Sequence, residues 1–194
     1  TSPIQAAINS LTQGGTVYFP AGKYKLYSSI NLNYNQGHNY IKLIGTSPMN
    51  YGGDYDSGGS ILYKDTDGEF IKIKDSRGIH IDSLTFKGGS GGNNGVSGGE
   101  GAIYVDAGPG ATHHLYKNLV FHGIARGINL KGLSDSSINN VRFRYMPTNE
   151  GNGAAILLDG GGPERIDQIR ITDVVIDGSP EGLTSNPNIC GIAL

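Results

Sequence analysis

The sequence predicts an all-β protein: a stack of parallel β coils with one α-helix at its N-terminus. Three observations predict it. Pairs of strand-like segments that alternate apolar and polar at period two recur along the chain, with no helices between them. Glycine supplies 32 of the 194 residues, about twice the usual share, and clusters between those segments as turn punctuation. A single helix signal precedes the first strand.

That helix opens on Ser2-Pro3-Ile4-Gln5, which has the form of a capping box: Ser as N-cap, Pro at N1 and Gln three residues after the cap. Ile4, Ile8 and Leu11 share one face with Ala7 beside them, and Gly14-Gly15 ends the pattern. A capping helix over residues 1–14 is therefore expected, with stacked coils over 15–194 as one domain.

The first strand is Gly15-Thr16-Val17-Tyr18-Phe19-Pro20. After it the chain repeats. Phe70–Asp75 leads to Ile79–Phe86, Ala102–Asp106 to Asn118–Phe121, Gly127–Lys131 to Ile138–Phe143, and Ala155–Asp159 to Ile169–Ile176. Such units cannot bury their apolar sides alone and must stack on their neighbours. Their unequal spacing is read as loops of different length inserted at one corner.

Aligning the copies gives columns. Ile71, Ile103, Ile128 and Ile156 point inward in the first strand, beside Ile73, Val105, Leu130 and Leu158. Leu84, Leu119, Val141 and Val174 do so in the third strand, followed by Phe86, Phe121, Phe143 and Ile176. Just ahead of these sit Ser83, Asn118, Asn140 and Asp173, small polar residues suited to bonding backbone groups that a tight turn leaves unpaired. One coil is exceptional: His114 and Tyr116 fall inward where neighbours carry Ile, so either the register slips or the core holds two polar rings. Cys190–Leu194 reads as the first strand of a further coil with no cap after it. An uncapped end would leave strand edges open, so the chain is expected to be the N-terminal part of a longer stack.

The run Ile4-Gln5-Ala6-Ala7-Ile8-Asn9, followed by Gly15-Thr16-Val17-Tyr18-Phe19-Pro20-Ala21-Gly22-Lys23-Tyr24, resembles the N-terminal entry of pectate-lyase-superfamily β-helices. The resemblance implies a right-handed single-stranded parallel β-helix with an N-terminal capping α-helix. It also implies a protein that acts on polysaccharide, as secreted lyases, glycoside hydrolases and phage tailspike depolymerases of that superfamily do. Localisation would be extracellular or on a virion, with a homotrimer in the tailspike case. The same resemblance places the cleft along the first-strand sheet and an asparagine ladder at a turn comparable to the Asn118 column. The paired-Asp and Gly-His-Gly signatures of polygalacturonases are absent, as is the Arg-centred motif of calcium pectate lyases.

Bulk properties narrow the partners. Net charge is −2, with both signs interspersed, so no basic face points to nucleic acid. No apolar run reaches the ~18 residues a membrane span needs. One cysteine, Cys190, cannot form an internal disulfide.

The outward positions of the first strand carry the candidate chemistry. One column reads Lys72, Tyr104, Asn129, Leu157; the next reads Lys74, Asp106, Lys131, Asp159. Adjacent strands lie about 4.8 Å apart, so the second column alternates in charge. It would stabilise a solvated sheet by a few tenths of a kcal/mol per pair whatever else it does. The candidate catalytic residues are Asp106, Lys131 and Asp159, with Lys74, Tyr104 and Asn129 as sugar contacts. Asp106 and Asp159 stand two coils apart, roughly 9–10 Å, near the upper carboxylate separation of an inverting glycosidase. Lys131 between them complicates that scheme, since a cation favours carboxylates over the protonated acid it needs. In a β-elimination Lys131 or Tyr104 would be the base and Lys74 the partner of the uronate carboxylate. No cofactor is expected. Calcium is the one metal suggested, by Asp54–Gly59 and Asp65–Gly68, though neither has full calcium-loop spacing with a distal Glu. Arg142 and Arg144 face outward on the third strand and suit an anionic sugar. His113 and His114, neighbours on a strand, point to opposite faces and cannot chelate together.

Overall fold

The computed structural model describes residues 2–47, 58–66, 68–88, 101–108, 111–144, 146, 154–160, 166–177 and 190–193. One helix, α1 (Pro3–Asn9), leads into β1 (Gly15–Phe19), β2 (Gly22–Lys25) and β3 (Ile30–Asn33), and a single 3-10 turn at Tyr34–Gln36 follows. The next two repeats give β4 (Ile41–Gly45), β5 (Ser60–Lys64) and β6 (Ile71–Lys74), then β7 (His80–Asp82), β8 (Thr85–Gly88) and β9 (Ile103–Asp106). The later repeats contribute β10 (Leu115–His122) with β11 (Ile128–Lys131), β12 (Ser134–Arg144) with β13 (Ala154–Asp159), and β14 (Asp167–Asp177) with β15 (Cys190–Ala193).

Every described ladder is parallel. The strands form two sheets. A six-stranded first sheet runs β15-β13-β11-β9-β6-β3, and a nine-stranded second sheet holds the rest. In the early repeats the second sheet receives two short strands per repeat; in β10, β12 and β14 these fuse into one bent strand. The bend is at Asn118, Asn140 and Asp173, where φ is +52°, +50° and +54°, level with Ser83 at +57° between β7 and β8. Asn, Asp and Ser suit this left-handed conformation because their short polar side chains bond locally. A second column is left-handed throughout as well: Gly14, Tyr40, Gly78, His113, Asp135 and Gln168 stand level at another corner, with φ between +47° and +89°.

The inward columns are those the period-two pattern predicts, except at the β14 end, where Val174 is half-buried and Ile176, level with Phe143, is exposed. Ile30 joins Ile71, Ile103, Ile128 and Ile156, and all of them are buried. On the second sheet Phe86, Phe121 and Phe143 stack face to face at 4.9 Å between successive rings, with Phe70 set edge-on against Phe86. His114 and Tyr116 do point inward, and no register slip occurs: Tyr116 pairs with Ile81 on one side and Ile138 on the other.

Three expectations need correction. The helix stops at Asn9, short of the expected end at residue 14, because Ser10 caps it: its N–H reaches Ala6 O and Ala7 O and its hydroxyl donates to Ala7 O at 2.7 Å. The capping box is half formed. Ser2 Oγ accepts from Gln5 N at 3.2 Å, but the Gln5 side chain turns to β3 instead of back to the cap. There its Oε1 accepts from Asn31 N at 2.8 Å and its Nε2 donates to Asn31 O at 2.9 Å. β3 is the edge strand of the first sheet, so the amide supplies the bonds another strand would have made. The long connections also fall at more than one corner: between β4 and β5, between β13 and β14, and before β9, β13 and β15.

Candidate functional site

The outward face of the first sheet is built by strict register. Asn31, Lys72, Tyr104, Asn129 and Leu157 are successive Cα partners, and so are Asn33, Lys74, Asp106, Lys131 and Asp159. The alternating charge column therefore exists as aligned, and neutral Asn33 extends it one strand earlier. Ile30-Asn31-Leu32-Asn33 repeats the Ile128-Asn129-Leu130-Lys131 pattern almost residue for residue, a signal that could have added both asparagines from the sequence.

Accessibility sorts these residues. Lys74 is exposed, while Tyr104 and Asp159 are half-buried. Asp106 and Lys131 are each about one-third exposed at the side chain, and Lys131 Nζ stands 3.9 Å from Asp106 Oδ1. Lys72 Nζ lies 3.4 Å from Glu69 Oε1 and 5.3 Å from the centre of the Tyr104 ring. Asn129 is a correction. It holds the outward register position, yet it is only 4% exposed, with Gly101 packed close to its backbone. Little of the side chain reaches the surface.

At the β3 end of this face lies a pocket of about 210 Å³ lined by Asn31, Leu32, Asn33, Gln36, Lys72 and Lys74. The 3-10 turn that carries Gln36 is held from both ends. Asn33 Oδ1 accepts from Asn35 N at 2.9 Å, and Gly37, at φ +79°, donates its N–H to Tyr34 O at 2.8 Å. Behind the turn, buried His38 accepts from Asn33 N through Nδ1 at 3.2 Å, and its burial keeps the ring below its usual pKa.

The second sheet carries a polar cluster that sequence reasoning missed. Asp82 Oδ2 lies 3.2 Å from Lys117 Nζ and 3.5 Å from His80 Nε2. Its Oδ1 accepts from Ser83 Oγ at 2.8 Å and from Asn118 Nδ2 at 2.9 Å. Burial pushes the Asp82 carboxyl up, but the bonds from Asn118, Ser83 and Lys117 outweigh it and leave it below the usual range. Burial likewise lowers His80, against the opposing pull of Asp82. Asn140 Nδ2 donates to Asn118 Oδ1 at 2.8 Å, so the asparagine column bonds side chain to side chain. That corrects the expected pairing with turn backbone: Asn140 is exposed, and its left-handed backbone aims the amide along the stack.

His114 and Tyr116 are the deepest polar pair. His114 Nε2 donates to Ser76 O at 2.8 Å, which leaves Nδ1 to accept from the Tyr116 hydroxyl at 2.7 Å. The ring is neutral, its pKa lowered to about 4 by burial, and burial raises Tyr116 well above its usual value. His113 is exposed and His114 buried, but the two are not neighbours on a strand as expected: both precede β10, and His113 lies at a left-handed corner with φ +61°.

For the suggested calcium turns, Asp65 binds Lys25 at 2.8 Å and accepts from Tyr63, while residues 54–57 and 67 lie outside the described residues. Among the described residues no three His, Cys, Asp or Glu side chains gather to hold a metal ion. Arg142 and Arg144 stand half-buried on the outward face of the second sheet.

No family model and no curated protein matches the chain. Among solved structures it is similar to a Parabacteroides merdae protein provisionally assigned as a glycosyl hydrolase. The identity is 15% with a TM-score of 0.63, over 98% of this chain and 86% of that one. It is also similar to the ORF18 protein of Geobacillus virus E2, at 14% identity and a TM-score of 0.56, over 91% of this chain and 35% of that one. At these identities the likeness shows a shared fold.

Proposed function

We propose that the two sheets close into a right-handed parallel β-helix that binds a polysaccharide along its first sheet and hydrolyses it, outside the cell or on a virion. The observation that carries this reading is the double outward column in strict register, which sets a charged or hydrogen-bonding side chain at every strand step from β3 to β13. The likeness to the Parabacteroides protein supports it. Asp106 and Asp159 flank Lys131 at two strand steps, roughly 9–10 Å between backbones, within reach of an inverting arrangement. Asp106, held beside Lys131, takes a proton from the attacking water. Asp159, which must carry a proton against the pull of neighbouring Lys131, gives it to the glycosidic oxygen as the anomeric C–O bond breaks and the water oxygen bonds to the anomeric carbon. Lys74 and Tyr104 contact neighbouring sugars.

A binding-only reading has its own observation. The Lys131–Asp106 contact is partly solvated and fits a charge ladder that simply holds the chain. The test is incubation with a panel of acidic polysaccharides, with EDTA or with calcium, following reducing ends and the absorbance of unsaturated products. Reducing ends alone mean hydrolysis, both signals mean elimination with Lys131 as the base, and neither means binding only. Asp106→Asn and Lys131→Ala should each cut turnover at least tenfold while changing stability by only about 0–1 kcal/mol. Sedimentation separates a trimer, expected of a tailspike, from a monomeric secreted enzyme.

A further inference from the structure

The pocket at the β3 end of the first sheet has a composition of its own. Its lining brings together two ammonium groups, Lys72 and Lys74, and three carboxamides, Asn31, Asn33 and Gln36, over the floor of Leu32. No carboxylate stands among the described residues that line it. The internal bonds of the asparagines hold their amides in place and leave each with an uncommitted polar atom. Asn31 commits Nδ2 to Ser29 O at 3.0 Å and so offers its Oδ1 as an acceptor; Asn33 commits Oδ1 to Asn35 N and offers Nδ2 as a donor. Gln36 can do both. Lys72 is shared with Glu69, whereas Lys74 forms no ion pair with an acidic side chain among the described residues, so the pocket carries net positive charge.

Positive charge with a mixed set of amide donors and acceptors suits a ligand bearing one anionic group and several hydroxyls. At about 210 Å³ the pocket is smaller than the ~300–1,000 Å³ typical of sites for drug-sized ligands, so it holds one unit. We propose that it is a binding subsite for a single anionic sugar residue, carrying a carboxylate or sulfate, at the β3 end of the column that continues through Asp106, Lys131 and Asp159. This deepens the glycan reading and rests on it. The reacting groups work further along the sheet, and the pocket fixes which sugar is anchored at the β3 end.

The experiment follows the side-chain amide signals of Asn31, Asn33 and Gln36 by NMR while the protein is titrated with methyl glucuronide, methyl glucoside 6-sulfate or neutral methyl glucoside. Single sugars remove any dependence on the linkage of the natural polymer. The expected result is saturable shifts of these amides with at least one anionic sugar, at least fivefold tighter than with the neutral one. Lys74→Gln, at an exposed position, should lose at least fivefold of that affinity with a spectrum otherwise unchanged. The proposal is overturned if neither anionic sugar gives saturable shifts, if the neutral sugar binds equally well, or if Lys74→Gln binds as the parent does. Asp106→Asn separates the two claims: sugar should still shift the pocket amides in a variant that has lost turnover. Pocket binding without any glycan cutting sinks the hydrolase reading alone, and cutting without pocket binding sinks the subsite alone.

Discussion

Two polar groups lie four residues apart around the start of β10 and behave as opposites. His114 and Tyr116 sit inward, Tyr116 in a column otherwise aliphatic; Asn118 sits at the bend, bonded to Asp82 and Asn140 near solvent. The inward pair has every strong hydrogen-bonding atom of its two rings matched, since any unmatched atom there would carry its full desolvation cost. The bend ladder is held as much by backbone conformation as by its bonds, because water can replace a lost partner. Polarity in this protein is thus tied to stability in the core and to geometry at the corner.

The largest test of that contrast is His114→Ala. It leaves the Tyr116 hydroxyl and the Ser76 carbonyl buried without their partner and opens a cavity, so thermal or denaturant unfolding should show a loss of about 3–5 kcal/mol. A loss below about 1 kcal/mol would mean the pair is hydrated or mobile, and the contrast would fail. Next comes pH. His114 has its folded pKa lowered to about 4 from 6.5, so between those values the unfolded chain binds the extra proton and the folded chain does not. Stability should be level above neutrality, fall by about 3 kcal/mol as pH drops from 6.5 to 4, and flatten for this group below that. His114→Gln should remove most of the slope, with smaller contributions left from His38 and His80. The smallest effect belongs to the bend. Asn140→Ala loses a side-chain bond and puts a Cβ-bearing residue without local bonding at φ +50°, for about 1–2 kcal/mol. Asn140→Gly relieves the backbone term and should cost less than the alanine. Glycine proving worse than alanine would show that the amide bond, not the conformation, holds that corner.

Much of this was legible in the sequence because period-two alternation fixes which side chains share a face. Aligning Ile71, Ile103, Ile128 and Ile156 was enough to set the Lys74–Asp106–Lys131–Asp159 column, and the ladders preserve that register. The inward placement of His114 and Tyr116 followed from the same counting. What the pattern could not carry was anything that depends on a partner distant in sequence. The turn of Gln5 to Asn31, the burial of Asn129, and the gathering of His80, Asp82 and Lys117 on one outward face all involve segments that meet only after stacking. Alternation says which face a residue is on, and not what lies over that face. The pocket illustrates both sides: Asn31 and Asn33 repeat a visible pattern, whereas Gln36 enters by way of a 3-10 turn that the pattern does not encode.

The left-handed corner at Gly14, Tyr40, Gly78, His113, Asp135 and Gln168 also bears on how such a chain can change over time. Each repeat passes this point with the same backbone handedness, so the chain enters every following strand from a common direction. Cutting at one such residue and rejoining at another removes or adds a whole repeat while the junction stays in the left-handed region. Repeats can then be exchanged as cassettes, and the outward columns, with whatever they bind, can lengthen or shorten by one sugar-sized step without the core being redesigned.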